Sequence, residues 1–294
     1  PGGPDPDSGV SRWPEPPPHA WARARRDRER AWLEAMRRRH HHRRFLAPDP
    51  LQLVTPHRRV ADREVAGLVA ASLAYGSVVA MLPAIERVLA VLGPRPADGL
   101  ETMSDRDLAE AFVDFRYRVT DGRALAALLR GVRRLRGEHG SLEAAFGLDD
   151  PGHRSIVPAL SGFVARLRAA AGAPLPHLLP DPSDGSACKR PALWLRWMVR
   201  RDEIDPGGWR SVDPGRLLMP LDTHVFQTAR TRRWTRRRTM GLATAMEITD
   251  RLRALEPGDP LRWDFAITRP GIRGDAPDAG SVDTIPETVT EPPA

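Results

Sequence analysis

Apolar positions recur at helical spacing through most of the chain. From about residue 62, DREVAGLVAASLAYGSVVAMLPAIERVLAVLG places apolar residues three and four apart and ends on glycine, the pattern of amphipathic helix with a C-terminal stop. Tyr75-Gly76-Ser77 interrupts it and predicts two helices rather than one. DRDLAEAFVDF, GRALAALLRGVRRLRGEHG, SLEAAF and SIVPALSGFVARLRAAAG repeat the pattern, each closed by Gly, Pro or Asp. ACKRPALWLRWMVRR follows, with Pro191 tolerable in a first turn. Residues 202–221, rich in Pro, Gly and Asp, read as a loop. DTHVFQTARTRRW and LATAMEITDRLRALE predict two more helices, and DPLRWDFAITRPGI ends the ordered part. No convincing run alternates with a period of two, and no segment repeats. The expected fold class is all-α, built of many short helices.

The two ends break the pattern. Residues 1–20 are Pro-rich and read as a disordered lead. Residues 21–44 read as a very basic helix with a thin apolar stripe of Trp21, Ala24, Trp32, Ala35 and Met36. The chain therefore divides into a lead and basic helical arm (1–44), a helical domain (45–273) and an acidic, disordered tail (274–294). Within the arm, His40, His41 and His42 cannot all face one ion on a regular helix, and no carboxylate follows closely, so a solvated basic stretch is expected rather than a metal site.

Composition sharpens this picture in three ways. The net charge is +7, although residues 275–294 hold five acids and no base, so the body is more basic still. That balance suits either a solvated Arg-rich surface or a polyanionic partner, nucleic acid before membrane. The single cysteine, Cys188, excludes an intrachain disulfide and any Cys-based zinc or iron–sulfur site. No apolar segment approaches bilayer length and the first residues lack the apolar stretch of a signal peptide, so a cytoplasmic location is expected. No cofactor, metal, membrane or protein partner is called for.

The third point is the basic residues themselves. Of 45 Lys and Arg, one is lysine, Lys189, and the chain has no Asn. This looks like compositional drift, which devalues Arg counts and raises interest in the residue that escaped it. A guanidinium stays protonated and cannot act as a nucleophile, whereas an amine can lose its proton when desolvated or set near other cations. Arg190, Arg196 and the positive end of its own helix would all push Lys189 that way. Chance survival, or a simple phosphate contact, would equally leave one lysine. Asp222, in MPLDTHVFQTAR, directly precedes a helix, where Asp is a favoured N-cap and needs no other reason to exist. A capping carboxylate is also ionised and fixed in direction, which suits one that must face developing positive charge. Tyr75 follows a helix and precedes Gly76, making it a pocket candidate. Trp194 and Trp197 sit on a helix apolar nearly all round and read as core. Asp264 reads as a cap, His224 as structural, and Asp202 and Asp205 as turn and ion-pair residues.

GSACK followed by LDTHVF resembles the helix-hairpin-helix (HhH-GPD) DNA glycosylase superfamily of the endonuclease III type. Its hairpin is written G-x-G-x-K, with a lysine nucleophile in bifunctional members, and its V-D-T-H-like segment carries the catalytic carboxylate. Gly185 and Lys189 fall on the first Gly and the Lys; Leu221, Asp222, Thr223 and His224 fall on the second segment. LVAASLAYGSVVAMLPAIERVL resembles the early helix pair that frames the base pocket, and RWDFAITRPGI the closing helix. More closely, DPLQLV, DREVAGLVAASLAYG, ACKRPALWLRWMVRRDEIDPGGW, PLDTHVF and DPLRWDFA resemble a bacterial family designated DUF2400, over about residues 45–273.

The resemblance implies a two-lobed helical fold without an iron–sulfur cluster, and a base-excision glycosylase/lyase acting on duplex DNA. Lys189 and Asp222 would be catalytic, Gly185, Ser186 and Arg190 would bind DNA, and Tyr75 and Gly76 would line the base pocket. The chain departs from the pattern at Ala187, which replaces the second hairpin Gly. It also departs in the 33-residue step from Lys189 to Asp222, longer than in the endonuclease III type and nearer the archaeal 8-oxoguanine branch, which suggests an oxidised purine. Two other readings stand beside this one: a nucleic-acid-binding protein without catalysis, and an enzyme that uses the lysine amine on another carbonyl compound.

Overall fold

The computed structural model describes residues 23–273, and the Pro-rich lead and acidic tail lie outside them. The described chain forms twelve α-helices and one two-stranded hairpin. The predicted interruption is present: α2 (Val60–Ser72) and α3 (Val78–Leu92) flank a turn at Tyr75-Gly76. Then come α4 (Pro96–Thr102), α5 (Asp105–Ala111), α6 (Gly122–His139), α7 (Leu142–Gly147) and α8 (Val157–Ala171). The last four are α9 (Lys189–Val199), α10 (Thr223–Thr231), α11 (Leu242–Arg253) and α12 (Asp264–Arg273).

Two elements depart from the sequence pattern. Helix α4 begins at the Pro-Arg-Pro-Ala-Asp run, where prolines argue for loop; Pro96 occupies the first turn, and the buried Asp62 carboxylate accepts from Ala97 N at 3.1 Å. Strands β1 (Arg116–Tyr117) and β2 (Thr120–Asp121) pair antiparallel, two residues each, too short for any alternation to register.

Helix α1 (Arg23–His40) also reads differently in three dimensions. Its buried face is Glu29, Leu33, Met36 and His40; of the expected stripe Met36 is buried, Trp32 is half-buried, Ala24 and Ala35 are exposed, and Trp21 lies outside the described residues. That face packs on α12, and Glu34 accepts from Trp263 Nε1 at 2.9 Å. Two of the three histidines are not solvated: His40 and His41 are buried, His41 Nε2 meets Asp202 Oδ2 at 3.1 Å, and His42 stays half-exposed.

One continuous apolar core runs through the described residues, with Trp194, Trp197, Trp234 and Trp263 among its largest fully buried members. The expectation that Trp194 and Trp197 are core residues holds. Helix α9 packs along α2, α6 along α8, and α12 against both α1 and α10. The turn between α2 and α3, one face of α9 and the starts of α10 and α12 thus converge.

Candidate active site

Those elements line a cleft of about 220 Å³, partly open to solvent, bounded by Tyr75, Gly76, Lys189, Arg196, Asp222 and Asp264 among others. Both residues singled out for chemistry are in it, together with both pocket candidates.

Asp222 performs two jobs at once. Its Oδ1 accepts from Val225 N at 2.8 Å and caps α10. Its Oδ2 lies 3.9 Å from Lys189 Nζ. The choice between a capping residue and a carboxylate aimed at a cation is therefore not a choice, because the cap fixes one oxygen and so aims the other. Lys189 keeps 39% of its side chain exposed against 16% for Asp222, so the amine sits at the mouth and the carboxylate further in.

The stretch before Lys189 explains why alanine stands where the resembled hairpin has glycine. Left-handed backbone is adopted at Gly185 (φ +73°) and Cys188 (φ +49°), but not at Ala187. Ser186 Oγ accepts from Cys188 N at 3.2 Å and supports the strained residue. What precedes the hairpin is one 3-10 turn, Pro182–Asp184, rather than an α-helix. Gly185 is exposed and Ser186 half-buried. Cys188 is buried against Pro180 O, and that burial pushes its thiol up to about 12, so it is no nucleophile at neutral pH.

Arg190 turns inward. Its Nη1 donates to Ser72 O at 3.3 Å and its guanidinium lies 5.1 Å over the Tyr75 ring. Tyr75 is held from the other side, its hydroxyl donating to Tyr117 O at 3.0 Å and 2.6 Å from Thr120 Oγ1. The small hairpin β1–β2 thus braces one wall of the cleft. Glycine suits position 76 because its φ of +82° is one that other residues adopt only under strain.

The floor is a buried charge network that the sequence pattern did not reveal. Arg196 spans Asp205 (3.1 and 2.9 Å) and Asp264 (2.6 Å), and Arg269 reaches Asp49 at 2.8 Å. Burial alone would pull Arg196 down, but the two carboxylates hold it above its ordinary value, so it is a neutralised cation rather than a bare one beside Lys189. Asp264, expected as a cap, gives its carboxylate to Arg196 instead. Burial pushes Asp264 up to about 6, against the pull of Arg196 and with the charge of Asp222 adding to the rise. The available signal was Asp264, Thr268 and Arg269 on one side of an otherwise apolar helix. His224 lines the cleft with its ring against α12, where a Cβ on Gly271 would lie 2.1 Å from Nδ1. Asp202 and Asp205 are turn and ion-pair residues as expected: Asp202 Oδ1 accepts from Ile204 N and Asp205 N, and Asp205 serves Arg196 and Arg200.

Among the described residues, no group of three or more His, Cys, Asp or Glu side chains converges as a metal site, and no helix is long and apolar enough to cross a membrane. A family described as "Protein of unknown function (DUF2400)" matches residues 49–273, a span that contains Tyr75, Lys189, Asp222 and Asp264. No curated protein matches the chain. No solved structure matches it either.

Proposed function

The chain belongs to the DUF2400 family, and from its site we propose that it is a DNA glycosylase with lyase activity that works through the Lys189 amine. One observation carries the reading: the only lysine faces the second oxygen of a capping carboxylate, 3.9 Å away, at the mouth of a cleft. The resemblance of GSACK and LDTHVF to the HhH-GPD pattern supports it, as does the net charge of +7.

An enzyme acting on a base in duplex DNA must take it out of the stack and into a pocket. The cleft receives the base, with Tyr75 as its aromatic wall. Breaking the glycosidic bond builds positive charge on the sugar, and Asp222 Oδ2, held in place by the cap, stabilises that charge. The Lys189 nitrogen attacks C1′ as the bond to the base breaks, and a proton from that nitrogen leaves with the base. The resulting Schiff base then permits elimination of the 3′ phosphate and strand cleavage. The exposed hairpin at Gly185 and Ser186 approaches the backbone, while Arg190 acts from inside by holding Tyr75. On the length of the Lys189–Asp222 connection, an oxidised purine is the first substrate class to test.

The test is borohydride trapping on duplexes carrying either 8-oxoguanine or an abasic site. Wild type should give a covalent adduct on both, mapped to the peptide containing Lys189, and Lys189→Gln should give none while melting at the wild-type temperature. No adduct from wild type on a full lesion panel, or an adduct that survives Lys189→Gln, overturns the proposal. An adduct on the abasic duplex alone reduces the activity to a lyase acting on the aldehyde.

A further inference from the structure

Between α10 and α11 the chain reads RRWTRRRTMG, residues 232–241. The segment is pinned at its middle. Trp234 is fully buried, donates from Nε1 to Glu29 Oε2 at 3.2 Å and meets the Trp32 ring edge-on at 6.2 Å. Thr235 Oγ1 bonds Glu247 Oε2 at 2.8 Å and accepts from Arg237 N at 3.1 Å. An arginine doublet and an arginine triplet are thereby presented on either side of a fixed anchor.

These arginines are not alike. Arg232 is paired with Glu29 at 2.7 Å and lies 4.0 Å over Trp32, and Arg237 is paired with Glu247 at 3.2 Å. Arg233, Arg236 and Arg238 are exposed, and no carboxylate among the described residues pairs with them. Three uncompensated guanidiniums on a braced loop form a concentrated positive field whose ordering is already met by the fold. Their planar forks match phosphate oxygens better than an ammonium would.

The position of the loop matters as much as its charge. Leu242 N, at the start of α11, donates to Gly185 O at 2.9 Å, so the loop's exit is joined directly to the hairpin before Lys189. Helix α10 runs from Asp222 at the cleft to the loop's entry, and its nine residues span about 13 Å. One strand of a DNA duplex presents about four phosphates over that length of helix axis.

We propose that Arg233, Arg236 and Arg238 form a second phosphate-holding platform, gripping the DNA backbone beside the cleft. The proposal rests on DNA being the partner, as in the glycosylase reading, but not on chemistry at Lys189. The platform holds phosphates alone, so its contribution is the same for any base sequence and for damaged or intact DNA.

The experiment is a fluorescence-anisotropy titration of an undamaged 20-base-pair duplex with the full chain across a salt series. It compares wild type, Lys189→Gln and the triple variant Arg233→Gln/Arg236→Gln/Arg238→Gln. At roughly 0.9 per phosphate contact, the slope of log affinity against log salt should fall by about 2–3 in the triple variant. Lys189→Gln should keep most of the slope. At saturating 8-oxoguanine duplex the triple variant should still trap with borohydride. An unchanged slope in a folded triple variant overturns the platform, as does binding of an RNA duplex or anionic vesicles in preference to DNA. If wild type traps nothing but the slopes differ as stated, the glycosylase reading fails and the platform stands.

Discussion

Glu64 and Asp222 are both carboxylates that meet the start of a helix, yet they end in opposite conditions. Glu64 is 1% exposed and accepts from Arg136 Nη1, Leu142 N, Glu143 N and Trp209 Nε1, all between 2.9 and 3.1 Å. Each of its oxygens has two donors, and the group ties α2, α6, α7 and the loop at Trp209 into one piece. Burial pushes it up, and those donors pull it back. Asp222 has one oxygen committed to Val225 N and the other left for Lys189 across 3.9 Å. A buried acid whose lone pairs are all taken holds a fold together; one with an oxygen in reserve, facing a cleft, can respond to charge that appears there.

The largest effect should come from the saturated group. Glu64→Ala strands four donors in the core, and a loss of about 3–5 kcal/mol or outright failure to fold is expected in urea titrations. Glu64→Gln, which keeps the shape, should fall between that and wild type. A cost under about 1 kcal/mol for both variants would break the comparison at its structural end.

Asp264 stands between the two extremes, one oxygen held by Arg196 and the group beside Asp222, and pH reads its state. Its folded value of about 6 lies above that of an ordinary carboxylate. Between those values the folded protein holds a proton that the unfolded chain has released, so this group's contribution to stability falls as pH rises through the window. Asp264→Asn removes that dependence. The cost of the substitution should therefore be greater near pH 4 than near pH 7, by about 2–3 kcal/mol. A cost that does not vary with pH would mean that Asp264 titrates normally.

The smallest effect on stability and the sharpest on chemistry should come from Asp222. Asp222→Asn retains a capping oxygen and should move the urea midpoint little; Asp222→Ala should cost about 1 kcal/mol. Both should lose trapping while keeping DNA affinity. Trapping at the wild-type rate by Asp222→Asn would reduce Asp222 to a cap.

Much of this arrangement was legible in the sequence, because the relevant signals were local. Periodicity located α2, α3 and α5 to α11 within a few residues, since each buries one stripe against the same core. Lys189, Asp222, Tyr75 and Gly76 stood out through residue type at a boundary, and each of those boundaries proved to open on the cleft. The charge network beneath was not legible. Asp49, Arg196, Asp264 and Arg269 lie on segments far apart in the chain and are matched only in space, so each alone looks like an ordinary polar interruption. The same holds for His41 and Asp202, and for Glu29 serving Arg232 and Trp234. Ala187 misled for a related reason: the left-handed turns had moved to its neighbours, and spacing does not record dihedral angles.

The docking of α1 on α12 has a consequence for the order of assembly. Glu34 and Trp263 touch across 229 residues of chain, so this contact cannot form until both ends of the described region exist. Helix α12 supplies Asp264 and Arg269 to the cleft floor and the wall behind His224. During synthesis the first described helix must wait for the last, and Lys189 and Asp222 can already stand in place while the floor beneath them is still missing. The floor of the cleft is thus completed only after α12 has been made.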